Sequence, residues 1–198
     1  MPKITEEQRQ ERIERVLGGA RRCFAQYGYE GATVARLEEE IGLSRGAIFN
    51  WFPSKEELFV ALARRDNERL MSLFADEGFE ALVQAVTDED ADWLAVYLEF
   101  GRRLRADADF RARWQERAAP DVRERVHSQL TSAQVSGRLR GDVTVQQLSR
   151  FLGIVLDGIV LQRGMGFDGI DPNVVVRLVE DAISGGEPDA QPDPSSSA

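Results

Sequence analysis

Four side chains between residues 45 and 55 can hydrogen-bond to DNA: Arg45, Asn50, Trp51 and Lys55. A guanidinium can pair with the edge of a guanine, and an asparagine amide can pair with an adenine or hold a phosphate. The indole N–H of Trp51 can donate to a phosphate oxygen. Lys55 stands where a helix would begin, so its charge adds to the free N–H groups there. These residues predict contacts with both the bases and the backbone of DNA.

Two short helices joined by a tight turn must position these side chains. Apolar residues at helical spacing over residues 34–41 predict the first helix, which Thr33 can cap and Gly42 can end. Ser44 can cap the second helix, and Pro53 prevents it from continuing. Two helices so closely connected predict a helix-turn-helix whose second helix enters a major groove.

Small and hydroxyl side chains extend the predicted DNA-contacting set. Gly46 and Ala47 permit a close approach, and the methyl group of Ala47 can meet a thymine methyl. Thr33 and Ser44 offer hydroxyls and N-terminal amides to phosphates.

The net charge of −9 is unevenly distributed along the chain. Residues 1–69 hold 12 basic and 12 acidic side chains, so the excess of acid lies entirely beyond them. We expect an acidic body to repel DNA, which leaves docking to the neutral head. The hydrophobic content of 42% and the charged content of 30% are typical of a soluble globular protein.

Helical periodicity without strand-like alternation predicts an all-α fold: a helix-turn-helix head followed by a helical body. We place the DNA-binding domain at residues 1–55, the ligand-binding and dimerisation domain at 56–184, and a disordered tail at 185–198. Ser54 can cap the first helix of the body, and a break is expected at Pro120. The predicted helices are Thr5–Tyr27, the two of the head, one from Ser54 to about residue 77, Phe79–Val86, Trp93–Ala106, Phe110–Gly137, Val145–Gln162 and Val174–Ile183.

Within the helix Val145–Gln162, the run Leu148–Leu161 is apolar nearly all round, so most of its surface must be buried. Together with Val174–Ile183 it predicts a surface that pairs with its twofold copy in a homodimer. An internal core helix is the alternative.

The head resembles the N-terminal domain of TetR-type transcriptional regulators. The similar runs are GYEGATV at 28–34, IGLSRGAIFNWF at 41–52 and SKEELF at 54–59, within a match over about residues 20–62. The departures are Leu37-Glu38 for the usual Ile-Ala, Ile41 for alanine and Phe49 for tyrosine. By this resemblance, the DNA-contacting positions are Arg45, Gly46, Ala47, Phe49, Asn50, Trp51 and Lys55.

Alternatives for three of these side chains stay open. Phe49 and Trp51 can be core residues, and Arg45 can pair with a glutamate. The resemblance also implies a homodimer on a double-stranded palindromic operator, repression, and a small-molecule effector that changes the spacing of the two heads.

The resemblance implies an effector pocket in the body. Its expected aromatic lining is Trp93, Tyr97, Phe100 and Trp114, with Arg102, Arg103, Arg111 or Arg113 facing an anionic ligand. Core packing for the aromatic residues and solvation for the arginines is the alternative.

A closer resemblance is to the aconitase repressors of actinobacteria, which implies citrate with magnesium as effector. Glu180 matches an acidic position of that group, whereas Ser128-Gln129-Leu130 stands where an arginine is expected, and Trp51 replaces a histidine. The similar runs are GARRCFA at 19–25, RLEE at 36–39, SRGAIF at 44–49, FRARW at 110–114, VLDG at 155–158 and LVE at 178–180.

Other functional classes find little support in the sequence. His127 and Cys23 are the only residues of their types, which is too few for a catalytic triad or a zinc site. No apolar run is long enough to span a bilayer, and we expect a cytoplasmic protein that requires no cofactor. A protein adaptor, or a small-molecule-binding module without DNA binding, is the alternative function.

Overall fold

The computed structural model describes residues 5–99, 101–115, 120–167, 169 and 171–185, with only the backbone at 101–103. These residues fold into helices without a strand, and an isolated antiparallel bridge joins Leu139 to Ser184. The predicted all-α class is therefore confirmed. The helices are α1 (Glu6–Gly31), α2 (Val34–Ile41), α3 (Arg45–Phe49), α4 (Lys55–Glu77), α5 (Phe79–Thr87), α6 (Ala91–Glu99), α7 (Gly101–Ala106), α8 (Ala108–Gln115), α9 (Pro120–Val135), α10 (Val145–Gly164) and α11 (Pro172–Ile183).

Two helices predicted as continuous are each described in two parts. The helix predicted at Trp93–Ala106 corresponds to α6 and α7, and Phe100 between them lies outside the described residues. The helix predicted at Phe110–Gly137 corresponds to α8 and α9, and residues 116–119 between them are likewise outside the described part of the chain. Pro120 is the first described residue of α9, and the break expected there stays a prediction.

The last two helices are close to their predicted bounds. The helix α10 extends two residues past Gln162, and α11 begins two residues before Val174. The Asp171 side chain caps α11, and Pro172 occupies its first position. Except for Gly185, the predicted tail lies outside the described residues.

Buried side chains form two clusters. The proximal cluster contains the core of α1–α4 and continues into α6 and α8 through Trp93, Val96 and Phe110. The distal cluster joins the end of α4 to α5, α9, α10 and α11. The core of the head therefore extends across the predicted domain boundary at residue 55.

The helix α6 is central to this arrangement because it packs against both α1 and α10. It lies between the head and the helix predicted to dimerise. Among the described helices, none combines the length and the apolarity that crossing a bilayer requires.

Candidate DNA interface and effector region

Side-chain caps and one glycine build the turn between α2 and α3. The Thr33 hydroxyl accepts the Arg36 N–H at 3.4 Å and starts α2, and the Ser44 side chain caps α3 at the Ala47 N–H. Gly42 ends α2 with φ 70°, a left-handed conformation that favours glycine. The predicted capping residues and the predicted turn are confirmed.

The helix-turn-helix is fixed to α1 by burial and close approach. Leu37, Ile41 and Ile48 are buried in the proximal cluster. A Cβ on Gly19 of α1 would lie 2.7 Å from Ile41 Cγ1 and 3.0 Å from its Cα, so only glycine lets α1 and α2 come this close. The outer face of α3 is thereby held in one orientation.

The predicted DNA-contacting residues gather around α3. Ser44, Arg45, Gly46 and Asn50 are exposed, and so is Thr33 at the start of α2. The predicted members that are partly buried are Ala47, Phe49, Trp51 and Lys55.

Arg45 and Glu38 are in contact, but through the Arg45 backbone. The Arg45 N–H donates to Glu38 Oε1 at 2.6 Å, and the Arg45 guanidinium carbon lies 6.0 Å from the Phe49 ring centroid. Within the described residues, no carboxylate forms an ion pair with this guanidinium. Its guanidinium is therefore exposed and has no carboxylate partner in the described part of the chain.

Phe49 and Trp51 each have a buried and an exposed side. Both pack against the proximal cluster while remaining partly accessible. The guanidinium of Arg9, near the start of α1, lies 5.8 Å from the centroid of the Trp51 ring. Core packing and partial exposure therefore occur together in both residues.

Lys55 lies at the start of α4, as predicted, and is held by α1. Its ammonium donates to the Tyr29 carbonyl at 2.8 Å and lies 4.3 Å from the Tyr29 ring centroid. An ammonium has three N–H donors, so this bond leaves others for a phosphate.

Two basic residues at the surface of the head, Arg9 and Arg36, are not among the predicted DNA-contacting residues. Arg9 lies against Trp51, and the exposed Arg36 lies 4.2 Å from the Tyr27 ring centroid and donates to the Gly31 carbonyl. The contact between Arg9 of α1 and Trp51, two residues beyond α3, depends on the tertiary fold, and no local sequence signal marks it.

Three of the predicted pocket aromatics do come together, but around a core residue. The ring centroids of Trp93, Tyr97 and Trp114 lie 5.8–6.1 Å from that of Phe59. Trp93 is only 1% exposed. Within the described residues, these rings belong to the proximal cluster, which supports the core alternative.

The polar atoms of Trp93 and Tyr97 bind a buried carboxylate. Asp66 of α4 is 9% exposed. Its Oδ2 accepts the Trp93 indole N–H at 2.7 Å and the Tyr97 hydroxyl at 2.9 Å, and its Oδ1 accepts from Arg21 Nη1 at 3.0 Å. Three donors stabilise the charge of Asp66 in this site.

The other predicted pocket residues are not grouped with these aromatics. Glu180 is exposed on α11, whose buried residues belong to the distal cluster. Arg111 donates to the Leu104 carbonyl, and Arg113 pairs with Glu56. Phe100 and the side chains of Arg102 and Arg103 lie outside the described part of the chain.

An open groove of about 590 Å³ lies between α4 and α9. Arg125, paired with Asp76 at 2.5 Å, and the carboxylates of Asp121 and Glu124 lie along it. Gln129 also lines it, and the Gln129 Oε1 atom is buried without a hydrogen-bond partner among the described residues. The groove thus contains the residue that replaces the expected arginine.

One face of α10 exposes large apolar side chains. Phe151, Ile154, Leu161 and Met165 are 38%, 69%, 42% and 58% exposed, and together with Gly158 they recur at three- and four-residue steps. Gly158 lies in the same row, and a Cβ there would meet nothing within 4 Å. On α11, Leu178 is also exposed, at 59%.

Two sequence families match the chain. Residues 16–62 match the family described as bacterial regulatory proteins, tetR family. Residues 75–185 match the C-terminal domain described as BetI-type transcriptional repressor. The two matches correspond to the head and to most of the body.

Similar proteins match over nearly the whole chain. The HTH-type transcriptional repressor Rv1474c of Mycobacterium tuberculosis is 41% identical over 185 residues, which cover 92% of this chain and 98% of that protein. The HTH-type transcriptional repressor AcnR of Corynebacterium diphtheriae is 42% identical over 195 residues, 95% of this chain and 100% of its own.

Solved structures share the fold at lower sequence identity. GusR of Salmonella enterica superposes with a TM-score of 0.68 and 22% identity over 91% of this chain and 98% of its own. A TetR transcription regulator of Haloarcula marismortui superposes with a TM-score of 0.69 and 18% identity over 88% of this chain and 99% of its own.

Proposed function

Because the chain belongs to the TetR family of bacterial regulatory proteins, we propose that it acts as a homodimer on a palindromic operator and is released by a small-molecule effector. It is a DNA-binding transcriptional repressor of the TetR type and not an enzyme. The observation that carries the dimeric proposal is the exposed apolar row on α10.

The apolar row supports a second copy of the chain as partner. Large side chains exposed in a continuous row are unfavourable in water and mark an interaction surface. A twofold axis brings the row of one protomer against the same row of its partner, and the open space over Gly158 lets the two helices approach.

Two heads held by such a dimer would bind half-sites about 34 Å apart, one turn of DNA, or at a multiple of that spacing. Arg45 reads a base edge, since its guanidinium has no carboxylate partner among the described residues. Gly46 and Ala47 let α3 approach the bases, and Asn50 pairs with a base or a phosphate.

The remaining contacts go to the DNA backbone. Lys55 and the hydroxyls of Thr33 and Ser44 bind phosphates, and Trp51 donates its indole N–H to one. The Phe49 ring lies beside the guanidinium of Arg45. We add Arg9, whose guanidinium lies beside the Trp51 ring; its ion pair with Glu6, at 3.6 Å, is exposed to water and can be exchanged for a phosphate.

The operator experiment is a mobility shift with DNA from upstream of the protein's own gene, against random competitor at two salt concentrations. We expect a shift that survives the competitor and weakens steeply with salt. Sedimentation of the free protein must show a dimer. If random-library selection also yields no bound DNA, the alternative of a binding module without DNA recognition gains support.

For the effector, we propose citrate with magnesium as the first ligand to test. The resemblance to aconitase repressors supports it, and the exposed Glu180 offers a carboxylate to the metal. The groove at Gln129 is unfavourable for a free tricarboxylate, because the two carboxylates of Asp121 and Glu124 repel an anion and only Arg125 attracts it. Within the described residues, no group of three or more metal-binding side chains occurs.

The effector experiment is calorimetry at millimolar citrate, with and without magnesium, together with operator release. Heat and release that both require magnesium support the proposal. Absence of heat together with unchanged operator binding rejects citrate while leaving the operator proposal intact. Since the operator is chromosomal DNA, we place the action of the protein in the cytoplasm.

A further inference from the structure

Glu89, in the turn between α5 and α6, is a meeting point of three helices. Its Oε1 accepts from Arg21 of α1 at 2.5 Å, and its Oε2 accepts from Arg69 of α4 at 2.9 Å. Its backbone carbonyl accepts from Arg163 of α10 at 2.9 Å. One residue therefore connects the first helix of the head to the helix that carries the exposed apolar row.

Arg21 joins this site to the buried carboxylate of Asp66. Its two terminal nitrogens bind different carboxylates, Nη1 to Asp66 at 3.0 Å and Nη2 to Glu89 at 2.5 Å. The same guanidinium carbon lies 4.7 Å from the Trp93 ring centroid. We name Arg21, Asp66, Glu89, Arg69 and Arg163 the junction.

The junction is more shielded from water than an ordinary surface ion pair. The side chains of Arg21, Asp66 and Glu89 are 29%, 12% and 17% exposed. Salt screens such groups less than fully exposed ones, and a planar guanidinium bound on two sides has little freedom to turn. The junction therefore restricts the direction of α1 as well as its distance from α6.

A second contact restrains α1 at the other end of α6. The Glu99 carboxylate accepts the Tyr29 N–H at 3.0 and 3.1 Å. Next to it, Gly28 has φ 68°, and a Cβ there would lie 2.6 Å from Glu99 Oε1. The helix α6 runs for nine residues between these two contacts, about 13 Å at 1.5 Å per residue, so α1 is held at two separated points.

We infer that the junction positions the DNA head relative to α10, so that Glu89 helps to set the spacing between the two heads of a dimer. This inference rests on the proposed dimer. Apolar packing between α1 and α6 remains when the Glu89 charge is removed, because Trp93 and Val96 stay in the proximal cluster. The head then stays folded while its angle is less well defined, as expected where polar groups confer specificity.

The test is Glu89→Gln, with Glu14→Gln as the matched control. Both variants remove one negative charge. Glu14 pairs with Arg65 at 2.6 Å, which also links α1 to α4 but leaves α6 and α10 untouched. Affinity is measured on the full operator, on a single half-site and on random DNA, and unfolding is followed by circular dichroism.

We expect Glu89→Gln to lose about tenfold on the full operator, a typical coupling for charged groups in one network, while half-site and random DNA change less than about twofold. Glu14→Gln should keep the operator preference. A second variant, Arg163→Met, removes the contact from α10 to the Glu89 carbonyl and should reproduce the selective loss. Equal losses on all three DNAs, or a Glu89→Gln variant indistinguishable from Glu14→Gln, would overturn the inference.

The wild-type protein separates this inference from the proposed function. If wild type itself does not prefer two half-sites over one, the dimeric operator proposal fails, and the inference fails with it. If wild type shows the preference and both junction variants retain it, the inference alone fails.

Discussion

Arg45 of the head and Arg21 of the junction are arginines in opposite environments. Arg45 is exposed, and its guanidinium has only the Phe49 ring beside it among the described residues. Arg21 is held between the carboxylates of Asp66 and Glu89 and over the Trp93 ring. One side chain is available to a ligand, whereas the other is fully occupied within the protein.

The difference shows how a chain with a net charge of −9 can bind DNA. Carboxylates of the body neutralise Arg21 and Arg69, so these arginines contribute little to the field at the head. At α3, Glu38 binds the backbone N–H of Arg45 and leaves its guanidinium unpaired among the described side chains. The placement of the partners, more than the sum of charges, decides which arginines meet DNA.

The largest expected effect comes from separating the two heads. Ile154→Asp puts a charge into the apolar row of α10, twice in each dimer. Losing a central interface contact costs about 2–4 kcal/mol. We expect a monomer in sedimentation experiments and loss of operator binding, with the helical content unchanged.

Val135→Asp is the control for that variant. Val135 is 85% exposed on α9 and does not belong to the row. The Val135→Asp variant should remain dimeric and bind the operator normally. A monomer from both substitutions would point to general destabilisation, and a dimer from both would reject α10 as the interface.

Arg45→Ala tests the available arginine directly. A bidentate pairing with a base contributes about 1–3 kcal/mol of discrimination, so operator affinity should fall by that amount while random DNA binding changes little. Competitive mobility shifts on the two DNAs measure the difference. The loss should not depend on the junction.

Lys55→Ala is the contrasting variant. It removes a proposed phosphate contact, so binding to all sequences should weaken and the salt slope should flatten by about one unit. If Arg45→Ala and Lys55→Ala lower affinity equally on operator and random DNA, the assignment of bases to Arg45 and of phosphates to Lys55 is wrong.

A smaller effect is expected for Arg9→Ala. Losing one exposed phosphate contact should lower affinity on operator and random DNA alike and reduce the salt slope by about one unit. Arg123→Ala, on α9 of the body, removes the same charge from another exposed site. The same slope change in both variants would mean that net charge, and not the position beside Trp51, is responsible.

Local features of the head could be predicted from the sequence because short-range chemistry determines them. Thr33 and Ser44 each cap a helix through an N–H three residues away, and Gly42 ends α2 by its own backbone freedom. Neighbouring residues suffice for such predictions, and the resemblance added the DNA-facing positions.

The junction could not be predicted in this way. Arg21 and Glu89 are 68 residues apart, and Arg21 and Asp66 are 45 apart, so no spacing rule relates them. Trp93 and Tyr97 were expected at a pocket because aromatic rings suit one, but the Asp66 carboxylate takes up their polar atoms within the core. The sequence pattern predicts which face of the helix these residues share, but it does not predict which side chains that face contacts.

The smallest expected effect concerns Cys23, which reports whether the proximal cluster stays closed in the junction variants. The thiol is completely buried, and this burial, aided by the charge of Glu40, raises its pKa above the ordinary 9.0. The folded thiol therefore carries less thiolate than the unfolded one at the same pH. Wild type and Glu89→Gln should both resist a thiol reagent at neutral pH and react fully after denaturation.

The raised thiol pKa also fixes the sign of a pH effect. Its contribution to stability is fully present below the unfolded pKa and is lost as pH rises through the folded pKa, because only the unfolded chain ionises readily in that window. Cys23→Ala should therefore lose less stability than wild type on going from neutral pH to above 9.0.

If Glu89→Gln reacts rapidly with the reagent while folded, the junction holds the core closed as well as directing the head, and its operator defect cannot be assigned to head position alone.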